Sequence, residues 1–87
     1  MQYVNVTSSS LVRGSRALVM GFHLASGGSA TVVEIVDGLD SSGDTVIKLH
    51  IPANTHEDFS IGEGIPFDTG VYFDVVSGSA TGSIFVE

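Results

Sequence analysis

Three aspartates lie close together in the segment VDGLDSSGD, residues 36–44. Asp37, Asp40 and Asp44 are hard oxygen donors of the kind that bind calcium. A helix–loop–helix calcium site also needs regular acidic spacing and a terminal bidentate Glu, and neither is present here. The same stretch has what a hairpin turn requires. Gly38 and Gly43 are expected to supply positive φ, and Asp and Ser side chains can bond to nearby amides. The turn is therefore the first reading, and calcium on Asp37, Asp40 and Asp44 the second.

The histidines are His23, His50 and His56, with Glu57 and Asp58 next to the last. Histidines with a carboxylate can hold zinc. No pair here has a spacing that forces convergence, so no metal and no other cofactor is expected. His23 and His50 fall on the more polar faces of extended stretches, which makes them solvent-facing or interface residues. Nucleophilic catalysis is not expected either. The serines lie in turn-like segments, and no Gly-x-Ser-x-Gly elbow occurs. In an extended chain Glu57 and Asp58 point to opposite faces, so they cannot act as a carboxylate pair. Neither SGGS nor GEG precedes a helical pattern, so neither is a phosphate loop. The chain reads as a protein that is not an enzyme.

The elements that would carry these residues are strands. Gly, Ser, Thr and Val dominate, and apolar residues alternate rather than recur at helical spacing. QYVNVT is a first strand with Val4 and Val6 on the face opposite Tyr3, and SSSLVRGS is a flexible connection. RALVMGFHLA, residues 16–25, places Leu18, Met20, Phe22 and Leu24 on one face and Val19, Gly21 and His23 on the other. Gly21 within it marks a bulge or a close backbone approach. Residues 30–36 and 44–51 flank the aspartate loop, and Ile47, Leu49 and Ile51 share a face. Residues 56–61 and 65–67 are short strands separated by a turn at GEG. Residues 70–76 and 80–86 complete the set. About eight short strands with frequent turn signals define an all-β fold: a small antiparallel β-sandwich of jelly-roll type. Residues 1–87 form one domain, and residues 1–15 are expected to act as an N-terminal arm.

The whole chain sets limits on partners. Its 87 residues include no cysteine, so packing or association must supply the stability. The formal charge is -7, with Arg13, Arg16 and Lys48 the only cations. Nucleic acid needs clustered Lys and Arg, and an anionic membrane surface needs the same, so neither is expected as a partner. No apolar run approaches the roughly 20 residues of a membrane-spanning helix. MQYVNVTSSS lacks the positive start and apolar run of a secretory signal, so a complete product made in the cytosol is expected. In GVYFDVVSGSATGSIFVE, Val71, Phe73 and Val75 alternate with Tyr72, Asp74 and Val76. Neither set is fully polar. Such a strand is central in its sheet or buried at a subunit contact.

From about Gly21 onward the chain resembles a type of small phage virion protein. Three signatures carry the resemblance. GFHLASGGSATVVEIVDG looks like two strands about a small-residue turn. DTVIKLHIPANT looks like a strand ended by Pro-Ala. GIPFDTGVYFDVVSGSATGSIFVE is similar to the closing section of these proteins. The resemblance implies a capsid decoration, or cement, protein: a jelly-roll that binds the phage major capsid protein as a homotrimer and stabilises the shell. Its expected place is the outer surface of the virion, after synthesis in the host cytoplasm. It implies no catalytic residues. Tyr3, Val4, Val6, Leu11, Arg13, Arg16, Tyr72 and Phe85 are the expected interface residues. Another virion accessory subunit, such as a head fibre, neck or tail component, is the nearest alternative. A small carbohydrate-binding sandwich is a further one, although tryptophan is absent and only Tyr3 and Tyr72 carry a phenol.

Overall fold

A computed structural model describes all 87 residues. It contains eight strands and no helix. They are β1 (Gln2–Val6), β2 (Ser10–Arg13), β3 (Ala17–Ser26), β4 (Thr31–Asp37), β5 (Asp44–Ile51), β6 (His56–Phe67), β7 (Val71–Ser77) and β8 (Ala80–Val86). They form two four-stranded sheets, ordered β1-β8-β3-β6 and β2-β7-β4-β5, with every neighbouring pair antiparallel. Only β4 and β5 are joined as a hairpin within one sheet; each other connection crosses between sheets. This order is the jelly-roll, two interleaved Greek keys.

Alternation explains the layers. In β7, Val71 and Phe73 are buried while Tyr72 and Asp74 are half-exposed, and the strand runs centrally between β2 and β4. Ile47, Leu49 and Ile51 of β5 share the inward face, as expected from the sequence. The core joins both sheets through Leu24, Phe22 and Ile84 on one side and Val33, Ile35 and Phe73 on the other. The accessible surface is 4550 Å². A compact monomer of this mass exposes roughly 4,900 Å². The sandwich is thus compact alone, and any case for association rests on where its apolar residues surface.

Three expectations change. In β3 the sequence put Leu18, Met20, Phe22 and Leu24 on one face. Instead Ala17 and Val19 are buried, Leu18 is exposed, and Phe22 and Leu24 are buried after a register shift between Val19 and Gly21. The bulge switches the phase of the alternation. A Cβ at Gly21 would lie 2.3 Å from the Phe59 carbonyl oxygen, so the partner backbone comes too close for any side chain.

The GEG turn is also not a strand break. Val19 pairs with Ile65 and Gly21 with Ser60, so residues 61–64 bulge out opposite Met20 while β6 continues to Phe67. Gly64, at φ +81°, supplies the left-handed residue that this bend needs.

Residues 1–15 are not a free arm. β1 pairs with β8, and β2, inside the expected flexible connection, pairs with β7. The backbone groups of both segments thereby find partners within their own chain.

Candidate interaction surface

The jelly-roll has four edge strands in two pairs. β1 and β2 close one flank, and β5 and β6 the other. Of the interface residues expected from the sequence, those on β1, β2, β7 and β8 lie toward the first flank. Tyr3 on β1 is 68% exposed and rests on Phe85 of β8, with ring centroids 4.8 Å apart and planes tilted by 50°. Leu11 on β2 is 48% exposed and stands opposite Tyr72 of β7. Arg13 donates from Nη2 to Gln2 Oε1 at 3.0 Å, which ties β2 to β1 across the flank. Arg16 is exposed in the connection to β3. Val6 is a correction: at 2% exposure it belongs to the core, and Val4 packs against that core. The alternation of β1 turns both inward and leaves Tyr3 outside.

The second flank was missed in the sequence reading. Here the sheets part around an apolar groove of about 210 Å³ lined by Phe22, Ile47, Leu49, Phe59, Ile61 and Ile65. Phe59 stacks on Phe22 at 5.8 Å with planes 16° apart, yet remains 55% exposed. Splitting HEDFSIGEGIPF at the glycines hid the length of β6. The spacing of Phe59, Ile61 and Ile65 about those glycines is the signal that could have shown it.

The chemistry-bearing side chains are arranged as follows. Asp37 does not face solvent as a free ligand. Its carboxylate accepts the amides of Thr69 at 2.9 Å, Asp68 at 3.1 Å and Gly70 at 3.4 Å. The Thr69 and Asp68 amides, helped by Gly70, hold its pKa below the ordinary 3.8, and partial burial opposes them. Asp40 accepts the Ser42 hydroxyl at 2.5 Å and the Ser42 amide at 2.9 Å, which also lower its pKa. Asp44 stands opposite Asp37 at the base of the hairpin. Gly38 and Gly43 do not take the positive φ expected of them; they fit because the backbone is close, a Cβ at Gly43 lying 2.4 Å from the Asp37 carbonyl oxygen. Asp37 spends its carboxylate on the β6–β7 loop and Asp40 spends Oδ1 on Ser42, so these two side chains act as a clamp and a turn brace.

The structure also brings together two histidines that sequence spacing left apart. His23 on β3 lies opposite Asp58 on β6, and its Nδ1 bonds Asp58 Oδ1. His56 Nε2 is 3.6 Å from Asp58 Oδ2, and the two imidazole centroids are 5.8 Å apart. All three side chains are more than half exposed, and no three metal-donor side chains converge on one point. His50 lies on β5, in the other sheet.

Comparison with known protein families, with characterised proteins and with solved structures finds no match. The class that the fold defines is the small antiparallel jelly-roll sandwich.

Proposed function

We propose that this chain is a structural protein of a phage particle, a decoration subunit that binds the capsid shell as a homotrimer and stabilises it. The observation that carries the reading is the β1/β2 flank. It displays Tyr3 against Phe85 on the outer face of one sheet and Leu11 opposite Tyr72 on the outer face of the other, with Arg13 bridging β2 to β1. Tyr and Arg are enriched among residues that anchor protein–protein contacts. The jelly-roll supports the reading, since it is a recurrent scaffold for capsid domains. The sequence signatures described above supply the phage context.

The mechanism is mechanical. A two-sheet body holds its edges rigidly, so little order is lost on binding. Loops at one end of the sandwich grip the coat. Each grip can be weak, because three linked copies raise apparent affinity by ~10²- to 10⁴-fold.

Electron microscopy of particles assembled with and without the chain tests this. Three-fold density on the outer shell in the first sample alone, with shells that resist heating longer, is the expected result. Density at a neck, fibre or tail tip would replace the reading with another virion role. Absence of the chain from the particle would end it.

A further inference from the structure

We infer that His23, His56 and Asp58, on the outer face of the β1-β8-β3-β6 sheet, bind a divalent transition-metal ion of the zinc type. The inference is independent of the proposed role in a capsid.

Spacing along the chain gave no reason to expect a metal; the pairing of β3 with β6 supplies one. His23 lies opposite Asp58, and Ala25 opposite His56, so the second histidine sits diagonally from the first on the same face. The two ring centres are 5.8 Å apart. Two imidazoles on one tetrahedral zinc, with Zn–N bonds of about 2.0–2.1 Å, have ring centres about 5.2 Å apart. The observed spacing is therefore close to that of a chelate. The ring nitrogens are also turned toward one place. His23 Nδ1 bonds Asp58 Oδ1, and His56 Nε2 is 3.6 Å from Asp58 Oδ2. As folded, the rings address the two oxygens of this carboxylate and not a common point. A cation draws the three donors together. All three side chains are more than half exposed, so their rotation disturbs no packing.

Charge and surroundings favour a cation. The chain carries -7, and β3, β6 and β8 contain no Lys or Arg. Lys48 lies in the other sheet, 3.7 Å from Glu34. Ser83, beside His23 on β8, donates its hydroxyl to Asn5 at 2.9 Å and leaves the imidazole free. Glu57 pairs with buried Leu24 and so points to the other face. Two imidazoles with one carboxylate suit zinc, whereas calcium and magnesium take oxygen ligands. Three protein donors leave a fourth position for water. A bound ion ties the edge strand β6 to β3, and an ion held only by the folded chain raises its stability.

Calorimetric titration of zinc chloride into the full chain at pH 7 provides the test. One zinc per chain is expected, with a melting temperature that rises as zinc is added. His23→Asn and His56→Asn should each weaken binding at least ~10-fold, because each removes one arm of a chelate. Asp58→Asn should weaken it as well. His50→Asn, in the other sheet, should leave it unchanged. Histidine-ring NMR signals of wild type give a reading that needs no variant: two of the three should move with zinc. Absence of zinc binding would overturn the inference. So would binding that persists in His23→Asn or His56→Asn, binding lost equally in His50→Asn, or calcium chloride that binds as tightly as zinc.

Discussion

The Asp37 carboxylate accepts the Thr69 amide at 2.9 Å, across 32 positions of sequence. With the Asp68 and Gly70 amides it pins the β6–β7 loop to the end of β4. The lowered pKa of Asp37 makes this a pH-dependent tie. A carboxylate whose folded-state pKa is depressed contributes stability above its unfolded value, and that contribution fades as pH falls through the folded value. Wild type should therefore melt above Asp37→Asn at pH 7. The gap should begin to narrow near pH 3.8, the ordinary value, and close as pH falls through the lower folded value. Melting temperatures of both proteins from pH 7 to pH 2 check it. A gap that persists unchanged at pH 2 would refute the electrostatic account.

Much of the fold was legible because alternation and turn chemistry are local. Val71, Phe73 and Val75 announced an inward face, and VDGLDSSGD announced the hairpin it forms. What was hidden depends on the partner strand. The phase change in β3 arises because Phe59 carbonyl approaches Gly21, a contact 38 positions away in sequence. The continuity of β6 through Gly62 and Gly64 has the same origin. Tyr3 and Phe85 become neighbours, as do Leu11 and Tyr72, because the jelly-roll sets β1 beside β8 and β2 beside β7. On the opposite flank the spacing of Phe59, Ile61 and Ile65 marks the strand, but β5 and β6 line a groove only once the two sheets have been stacked.

Two glycines give opposite expectations. Gly82, at φ +151°, has the His23 carbonyl oxygen 1.9 Å from where a Cβ would stand. Gly82→Ala should cost at least about 2 kcal/mol, since strain and a shifted ladder add together. Gly62 has no atom within 4 Å of its Cβ position. Gly62→Ala should stay within about 0.5 kcal/mol of wild type, or stabilise slightly by restricting the unfolded chain. Urea denaturation of the two variants side by side checks the contrast.

Phe73 is fully buried between the sheets, whereas Val76 on the same strand is 54% exposed. Phe73→Ala should cost about 3–5 kcal/mol, through lost burial and the cavity left behind. Native domains hold only about 5–15 kcal/mol in total, so the variant should be marginal at room temperature. Val76→Ala should change stability by less than about 0.5 kcal/mol. Equal effects from the two in chemical denaturation would mean that the inward face of β7 is misassigned.

Thr31 is the buried polar side chain of the core, at 1% exposure, and it works in both directions. Its hydroxyl oxygen accepts the Ser79 amide at 3.2 Å, and its proton can go to the Ser79 carbonyl at 3.0 Å or the Ser29 carbonyl at 3.1 Å. The turn between β7 and β8 is thereby tied to the start of β4. Gly78, at φ +77°, makes room for it, since a Cβ there would sit 2.4 Å from the Thr31 hydroxyl oxygen. Thr31→Val keeps the shape and removes the hydroxyl, which leaves the Ser79 amide without its acceptor. The expected cost is about 1–3 kcal/mol, the range for a buried group left unpaired. Thr31→Ser, which keeps the hydroxyl and loses a methyl, should cost less. Hydrogen exchange at the Ser79 amide provides the direct measurement: it should accelerate in the valine variant and remain slow in the serine variant. If both exchange alike, packing of the methyl, and not the hydroxyl, anchors this turn.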